Sequence, residues 1–503
     1  MPRRSTLAAA ALLAASALLL TACTGGAEPA QSGSSAPDAD ATLTVGLVLE
    51  PTNLDIRHTS GAALEQVLID NIYQGLVTRT EDNQIAPSLA SDYTVSDDGL
   101  TYTFTLTPGV TFHSGDPLTV GDVVSSLTQV KDDETVIGHA DFAGVSTIAA
   151  GGDDTVVVTL AAPDQNFLFN LTGPSGLIFR AGDTTDMKTA ENGTGPFTLA
   201  QWTQGDSIEF TRWDDYWGTP AGVAEVVLQY IPDFTAGVNA ALDGSLDVLT
   251  AVDPTLSSQL DGQQGFTLTT GKTTDKGLLA FNNKKAPLDD KRVREALRLA
   301  IDHDALVGAI GAGQTLYGPI PELDPGYEDL SDVVSFDPDR AKQLLTEAGA
   351  EDLQLTLTIP SFYGTTVPQV LVSSFADVGV DLTVKSVEFT TWLQDVYTNH
   401  DYDLSFVLHV EPRDIGNFAN PDYYFGYDNP EVQSLYAEAL ATVDPDASAD
   451  LLAQAARIVS EDMAADWLYN GATLTAVQST VQGFPVDSIN TRIDLAGVTV
   501  SAG

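Results

Sequence analysis

From Asp289 to Val387 the apolar residues switch repeatedly between helical and extended spacing, and few folds are open to a chain that does this. Val293, Ala296, Leu297, Ala300 and Ile301 follow i, i+3, i+4, i+7 and i+8, one face of a helix that starts near Asp289. Phe336 to Gly349 is a second helical segment. Asp337 is placed to cap it, Pro338 suits the first helical position, Ala341, Leu344, Leu345 and Ala348 make the stripe, and Gly349 ends it. Leu353 to Ile359 then alternates as a strand, Val367 to Val378 returns to helical spacing before Gly379, and Val380 to Val387 is extended again. Strands and helices joined by short connections predict an α/β fold.

The rest of the chain continues the theme. Strands are expected at Leu43 to Leu49, Asp92 to Ser96, Tyr102 to Leu106, Thr155 to Leu160, Phe197 to Trp202, Ile208 to Arg212, Val223 to Tyr230, Leu404 to Val410 and Thr473 to Val477. Helices are expected at Leu64 to Leu76, Thr119 to Val130, Pro430 to Ala441 and Ala449 to Ala464. A single core stops growing at roughly 250 to 300 residues, so 503 residues call for two lobes. The 22 basic against 70 acidic residues leave a net charge of −48, which repels phosphate backbones and anionic lipid headgroups and argues against nucleic acid as a partner.

Residues 1–22 read as an export signal: Arg3 and Arg4, an apolar run from Leu7 to Leu20, then small residues. That run is shorter than the roughly 20 residues that span a bilayer. Leu20-Thr21-Ala22-Cys23 resembles the bacterial lipobox, which implies a mature chain that begins at Cys23 with a lipid on its thiol, held at the extracytoplasmic face of the cell membrane. Removing residues 1–22 takes away two arginines and no acids, so the charge becomes −50. Residues 23–41, rich in Gly, Ser, Ala, Pro and Asp, are expected to form a flexible tether with a reach of about 24 Å.

Catalytic patterns are missing. Gly173-Pro174-Ser175-Gly176 lacks the spacing of a nucleophile elbow, and Gly265 lies one residue too far from Gly271-Lys272-Thr273 for a P-loop. No two histidines flank a glutamate at zincin spacing, and the lone cysteine excludes both an internal disulfide and a multi-thiolate metal site. Neither a catalytic residue, a cofactor nor a metal is expected.

The stretch IAPSLASDYTVSDDGLTYTFTLTPGVTFHSGDPLTVGDVVSSL, from Ile85 to Leu127, resembles the signature region of the family 5 extracellular solute-binding proteins, the peptide and nickel binders of ABC importers. Gly193-Thr194-Gly195-Pro196-Phe197, Trp213 to Gly218, Leu242 to Asp247, Ala280 to Leu297 and Phe336 to Gly349 match further family segments in order. The resemblance implies a periplasmic-binding-protein-like clamp of two lobes with a hinged cleft. The first lobe would be discontinuous, 42–280 plus 472–503, and the second would be 281–471. It also implies a monomer that captures a small solute, a peptide in the leading reading, and delivers it to ABC permease subunits driven by cytoplasmic ATPases. Metal chelates, opines and oligosaccharides are alternative ligands on the same fold. A sensor lipoprotein and a secreted cell-envelope hydrolase are the rival functions.

Family peptide binders anchor the ligand's amino terminus with an aspartate just after a strand of the second lobe. Here Glu411-Pro412-Arg413-Asp414 follows the expected strand, making Asp414 the first candidate for an ammonium anchor and Glu411 the reserve. Arg413 would take a ligand carboxylate or neutralise its acidic neighbours. The family's tryptophan is replaced by Val410. Phe418, Tyr423 and Trp392 are candidates for apolar ligand pockets.

Overall fold

The computed structural model describes residues 36–501. The signal segment and Cys23 lie outside the described residues. The expected tether overlaps them in part, and from Pro37 the chain is already bound to the body. Pro37 bridges Ser501, the Asp38 amide donates to the Val500 carbonyl, and Arg212 donates to the Ala39 carbonyl.

A ten-stranded sheet runs through the molecule, in the order Asp381–Val387, Gln354–Pro360, Leu404–His409, Phe266–Phe281, Ala465–Gln478, Val248–Leu249, Thr42–Leu47, Glu225–Tyr230, Ser207–Arg212 and Phe197–Thr203. Its two long central members, Phe266–Phe281 and Ala465–Gln478, are antiparallel and cross between the halves of the protein. A separate four-stranded antiparallel sheet is built from Ala90–Val95, Thr101–Leu106, Thr155–Leu160 and Val145–Ala150.

The cores divide along the chain. Three clusters are made from residues 43–268 and 476–500, and two from residues 278–468. Leu278, Leu279 and Ala280, placed before the expected lobe boundary, pack within the second set. The alternating segments form as their spacing dictates. Asp337 accepts from the Arg340 amide at 2.9 Å to start the helix Pro338–Ala348, and Gly349 at φ 69° closes it in the left-handed region. Leu357 and Leu371 are fully buried beside it.

Some expectations fail for identifiable reasons. The helix expected over Leu64 to Leu76 ends at Leu68. Asp70 turns to φ 66°, and the buried Asn71 amide donates to the Val67 and Ile493 carbonyls while its oxygen accepts from the Leu495 amide. The Asn71 side chain thereby takes the Val67 carbonyl that a longer helix would have satisfied internally, and is itself held by the carboxy-terminal tail. The final strand, expected as five residues, is fourteen long, and the sixteen-residue strand Phe266–Phe281 has no extended-period signal.

Between the halves the central pair breaks register at Lys272/Lys276 and at Gly277/Leu278. The buried Asn470 amide fills the first break by donating to the Thr273 and Asp275 carbonyls at 2.9 and 2.8 Å. An interruption of this kind bends a strand pair without leaving buried backbone groups unpaired.

Candidate functional site

Strand direction locates the site. In the first half Thr42–Leu47, Glu225–Tyr230 and Val248–Leu249 are parallel, and in the second Gln354–Pro360, Asp381–Val387 and Leu404–His409 are parallel. Because Leu249 pairs with Ala476 and His409 with Lys276 on the crossing strands, both sets point their carboxyl ends at the junction of the halves. In the second half the chain passes from Gln354–Pro360 outward to Asp381–Val387 and returns on the other side as Leu404–His409. The crevice outside this reversal of strand order is where open α/β sheets place their ligands.

Two segments meet at that crevice: Ser361-Phe362-Tyr363, just after one strand, and Val410 to Asp414, just after the other. Phe362, Phe389, Leu393, Tyr397 and Val410 are all exposed, Phe362 most of all at 64%. Rings connect along the edge, Phe362 to Phe389 at 5.7 Å, Phe389 stacked on Trp392 at 5.8 Å, and Tyr397 against Tyr423 at 5.6 Å. So many apolar groups left in water on one edge mark a surface built to be covered.

The loop after His409 is held by a cation on the crossing strand. Lys276, almost fully buried, donates to the Thr274 and Glu411 carbonyls at 3.0 Å each and pairs with Asp414 at 3.0 Å, which uses all three of its protons. The other Asp414 oxygen lies 3.0 Å from His409 Nδ1, and His409 Nε2 lies 3.0 Å from the Tyr424 hydroxyl. A carboxylate only accepts, so His409 donates to it from Nδ1, with Nε2 facing the Tyr424 hydroxyl. Burial pushes the Asp414 carboxyl up, but Lys276 and His409 outweigh it and hold the group below the usual carboxylate range.

Asp414 therefore has its charge committed inside the protein, and among the described residues no hydrogen bond or ion pair engages the Glu411 carboxylate. Glu411 is exposed. It lies close enough to Tyr363 and Tyr423 to contribute to their raised phenol values, behind burial as the main cause. Asp275, on the crossing strand, is pushed up to about 6, first by burial and also by Glu411, against the opposing pull of Lys276 and of the Asn490 amide. Asn490 donates to both Asp275 oxygens at 3.0 and 3.1 Å. Glu411 and Asp275 together make a patch of negative potential beside the aromatic edge.

The other expected site residues are dispersed. Arg413 turns away from Glu411: its guanidinium lies 4.0 Å over the Phe169 ring, and with Asp414 it borders a cavity of about 570 Å³ between the halves. Trp392 and Phe418 are core residues. Trp392 donates to the Ser405 hydroxyl at 2.9 Å, and Phe418 stacks on Phe425 at 4.6 Å. Tyr423, half-buried, is at the aromatic edge. Sequence reasoning missed Phe362, Phe389, Tyr397, Asp275 and Lys276. The first two follow directly on strands read correctly, and a rule that looks at strand carboxyl ends would have found them.

Residues 84–455 match the model of the bacterial extracellular solute-binding proteins, family 5 middle. The chain belongs to the family 5 solute-binding proteins. The dipeptide-binding protein of Escherichia coli is 26% identical over 479 residues, covering 86% of this chain and 89% of that one. Protein XP55 of Streptomyces lividans is 31% identical over 335 residues, a stretch that spans 65% of this chain and 60% of XP55. Among solved structures, HbpA2 from Haemophilus parasuis superposes with a TM-score of 0.81 at 22% identity, over 92% of this chain and all of that one. The periplasmic binding protein DppA from Helicobacter pylori, in complex with the peptide STSA, gives 0.75 at 21% identity over 92% and 98%. The fold of this family 5 protein is therefore the two-lobed α/β clamp. No described helix is long and apolar enough to cross a membrane.

Proposed function

We propose that this family 5 protein is the substrate-binding component of an ABC importer, a lipid-anchored protein on the extracytoplasmic face of the membrane. It captures a peptide or a similar small solute between its lobes and presents it to the permease. The observation that carries this reading is the facing of two sets of strand carboxyl ends, one of which bears exposed rings around an unpartnered Glu411. The lobes divide within the crossing strands, near residues 270–277 and 469–475, where the register breaks act as the hinge. Capture needs no bond-making. Closure buries the rings and drains water from around Glu411, which strengthens its attraction for a ligand ammonium group. Glu411 is the anchor in this arrangement, and Asp414 with Lys276 holds the loop in place.

A library of short peptides, mixed with the mature protein and followed by melting and mass spectrometry, tests the reading. Expected are unchanged peptides and a higher melting temperature with those that bind. Cleavage products would sink it in favour of an envelope hydrolase, and a shift produced only by a metal chelate, an opine or an oligosaccharide would reassign the ligand. A Cys23→Ala protein that still carried lipid would remove the anchoring claim.

Asp275 sets the expected pH response. A carboxyl raised to about 6 is ionised above that pH and neutral below it. Affinity for a peptide with a free ammonium group should thus be highest near pH 7, where that group, which titrates at about 7.7–8.0, still holds its proton, and fall as pH drops through about 6. Titration calorimetry at pH 5 and pH 7.5 checks this; equal affinities would take Asp275 out of the site. The same group acts oppositely on stability. It holds its proton more tightly folded than unfolded, so its contribution is most favourable near pH 4 and is lost as pH rises through about 6.

A further inference from the structure

Away from the aromatic edge the first lobe touches the second through the turn of a two-stranded sheet, Val77–Arg79 with Ile85–Pro87, and through the segment that follows the four-stranded sheet. The buried Asn83 amide donates to the Leu323 carbonyl at 2.9 Å and to Asp324 at 3.0 Å. Gln165 donates to the Thr442 and Val443 carbonyls, and its own amide to Leu440. Phe169 lies between the Arg413 guanidinium of the second lobe at 4.0 Å and that of Arg79 in the first at 5.2 Å. Asp324 is the shared member. Its second oxygen accepts from the Arg413 amide at 2.6 Å, two residues from Glu411 in the same loop.

Both donors are in the left-handed region, Asn83 at φ 61° and Arg413 at φ 56°. Such backbone persists only where surrounding contacts over-determine it. One buried carboxylate thus holds two left-handed turns, one in each lobe: that of Arg413, which its side chain disfavours, and that of Asn83, which asparagine tolerates.

We propose that Asp324 is the hub of an interlobe latch, which holds the first lobe through Asn83 and, through the Arg413 amide, positions the loop that presents Glu411. Asp324, which lines the cavity between the halves together with Arg413 and Asp414, acts in this proposal as a positioning residue. When the Asn83 bond breaks, the lobes part and Asp324, held by the Arg413 amide alone, braces the loop less firmly, so the latch couples lobe orientation to the readiness of the site. That coupling is independent of which solute the protein takes, and it is lost or kept separately from the import reading.

The test is made on unliganded mature protein. Asn83→Asp keeps the shape and tolerates φ 61°, yet sets a second carboxylate about 3 Å from Asp324. The two repel when both are ionised and share a proton when pH falls, with Lys276, Arg413, Arg79 and Asp414 as the other charged groups facing the pair. At pH 8 the variant should show a larger radius of gyration by X-ray scattering than the parent. Hydrogen exchange at residues 411–414 should be faster by about tenfold, the effect expected for a lost bond to a charged acceptor. At pH 5 both differences should shrink, each read against the parent at the same pH so that Asp275 cancels. Asn83→Asp with Asp324→Asn, which restores the donor and acceptor of that one bond but not the donation to the Leu323 carbonyl, should move both readings back toward the parent at pH 8. Asn83→Ser, uncharged and too short to reach Asp324, should open the protein at both pH values and keeps the test available if the charged variant does not fold. Unchanged scattering and exchange in the single variants overturn the latch. Faster exchange confined to residues 80–85, with 411–414 unmoved, overturns the coupling to the loop.

Discussion

Asp414→Asn should lower the melting temperature of the unliganded protein by on the order of 10 °C. The Lys276 ammonium is almost wholly enclosed, with 2% of its side chain exposed, and Asp414 supplies its only carboxylate within ion-pair distance among the described residues. Asparagine preserves the shape but leaves that charge uncompensated. Removing one member of a buried pair costs about 3–5 kcal/mol, and a lobe of this size loses roughly 2–4 °C per kcal/mol. His409 loses its acceptor in the same step, and with it the orientation that serves Tyr424. The loop carrying Glu411 should loosen, so ligand affinity falls as a secondary effect. Differential scanning calorimetry on the unliganded protein decides the matter. An unchanged melting temperature with abolished binding would return Asp414 to the role of direct anchor. Lys276→Met combined with Asp414→Leu should recover much of the lost stability, because an apolar pair of similar volume has no charge to desolvate.

Glu411→Gln should do the reverse: binding weakens by more than tenfold while the unliganded melting temperature stays within about 1 °C. Exposed Glu411 makes no side-chain contact in the described structure for glutamine to disturb, and surface changes of this kind stay within about 0.5 kcal/mol. In the closed cleft its charge-assisted bond to a ligand ammonium is worth about 1.5–3 kcal/mol, and 1.4 kcal/mol is a factor of ten. Calorimetry with a peptide recovered from the library measures it. Full affinity in Glu411→Gln would remove the ammonium anchor from the proposal, leaving the aromatic edge as the recognition element.

The opposite outcomes expected of two carboxylates three residues apart show how far the sequence carries. It placed both just after a strand in the second lobe, and the structure ends that strand at His409. Nothing local separates Glu411 from Asp414. Lys276, which claims Asp414, is 138 residues earlier and in a stretch, FTLTTGKTTDKGLLAF, that shows neither alternation nor helical spacing. That strand has no single pattern because it changes surroundings along its length, leaving the first lobe exposed on one side and entering the second buried on both. Glycines carry the same lesson. Gly115, at φ 84°, is needed for a tight turn, as its segment suggests. Gly195, within the segment Gly193 to Phe197, has no such φ; a Cβ there would lie 2.3 Å from the Asn71 carbonyl, so close approach of a distant segment is what requires it.

The helix Pro338–Ala348 with its Asp337 and Gly349 caps, the strands Gln354–Pro360 and Asp381–Val387, the acidic composition and the family were legible in the sequence, since each depends on residues within a few positions or on composition. Tertiary structure decided how the cores divide along the chain, which rings remain in water and which of the two carboxylates is ion-paired. Those depend on burial and on ion pairs between residues far apart in the chain, and a buried ammonium group takes the carboxylate that the fold brings to it, whatever their separation in sequence.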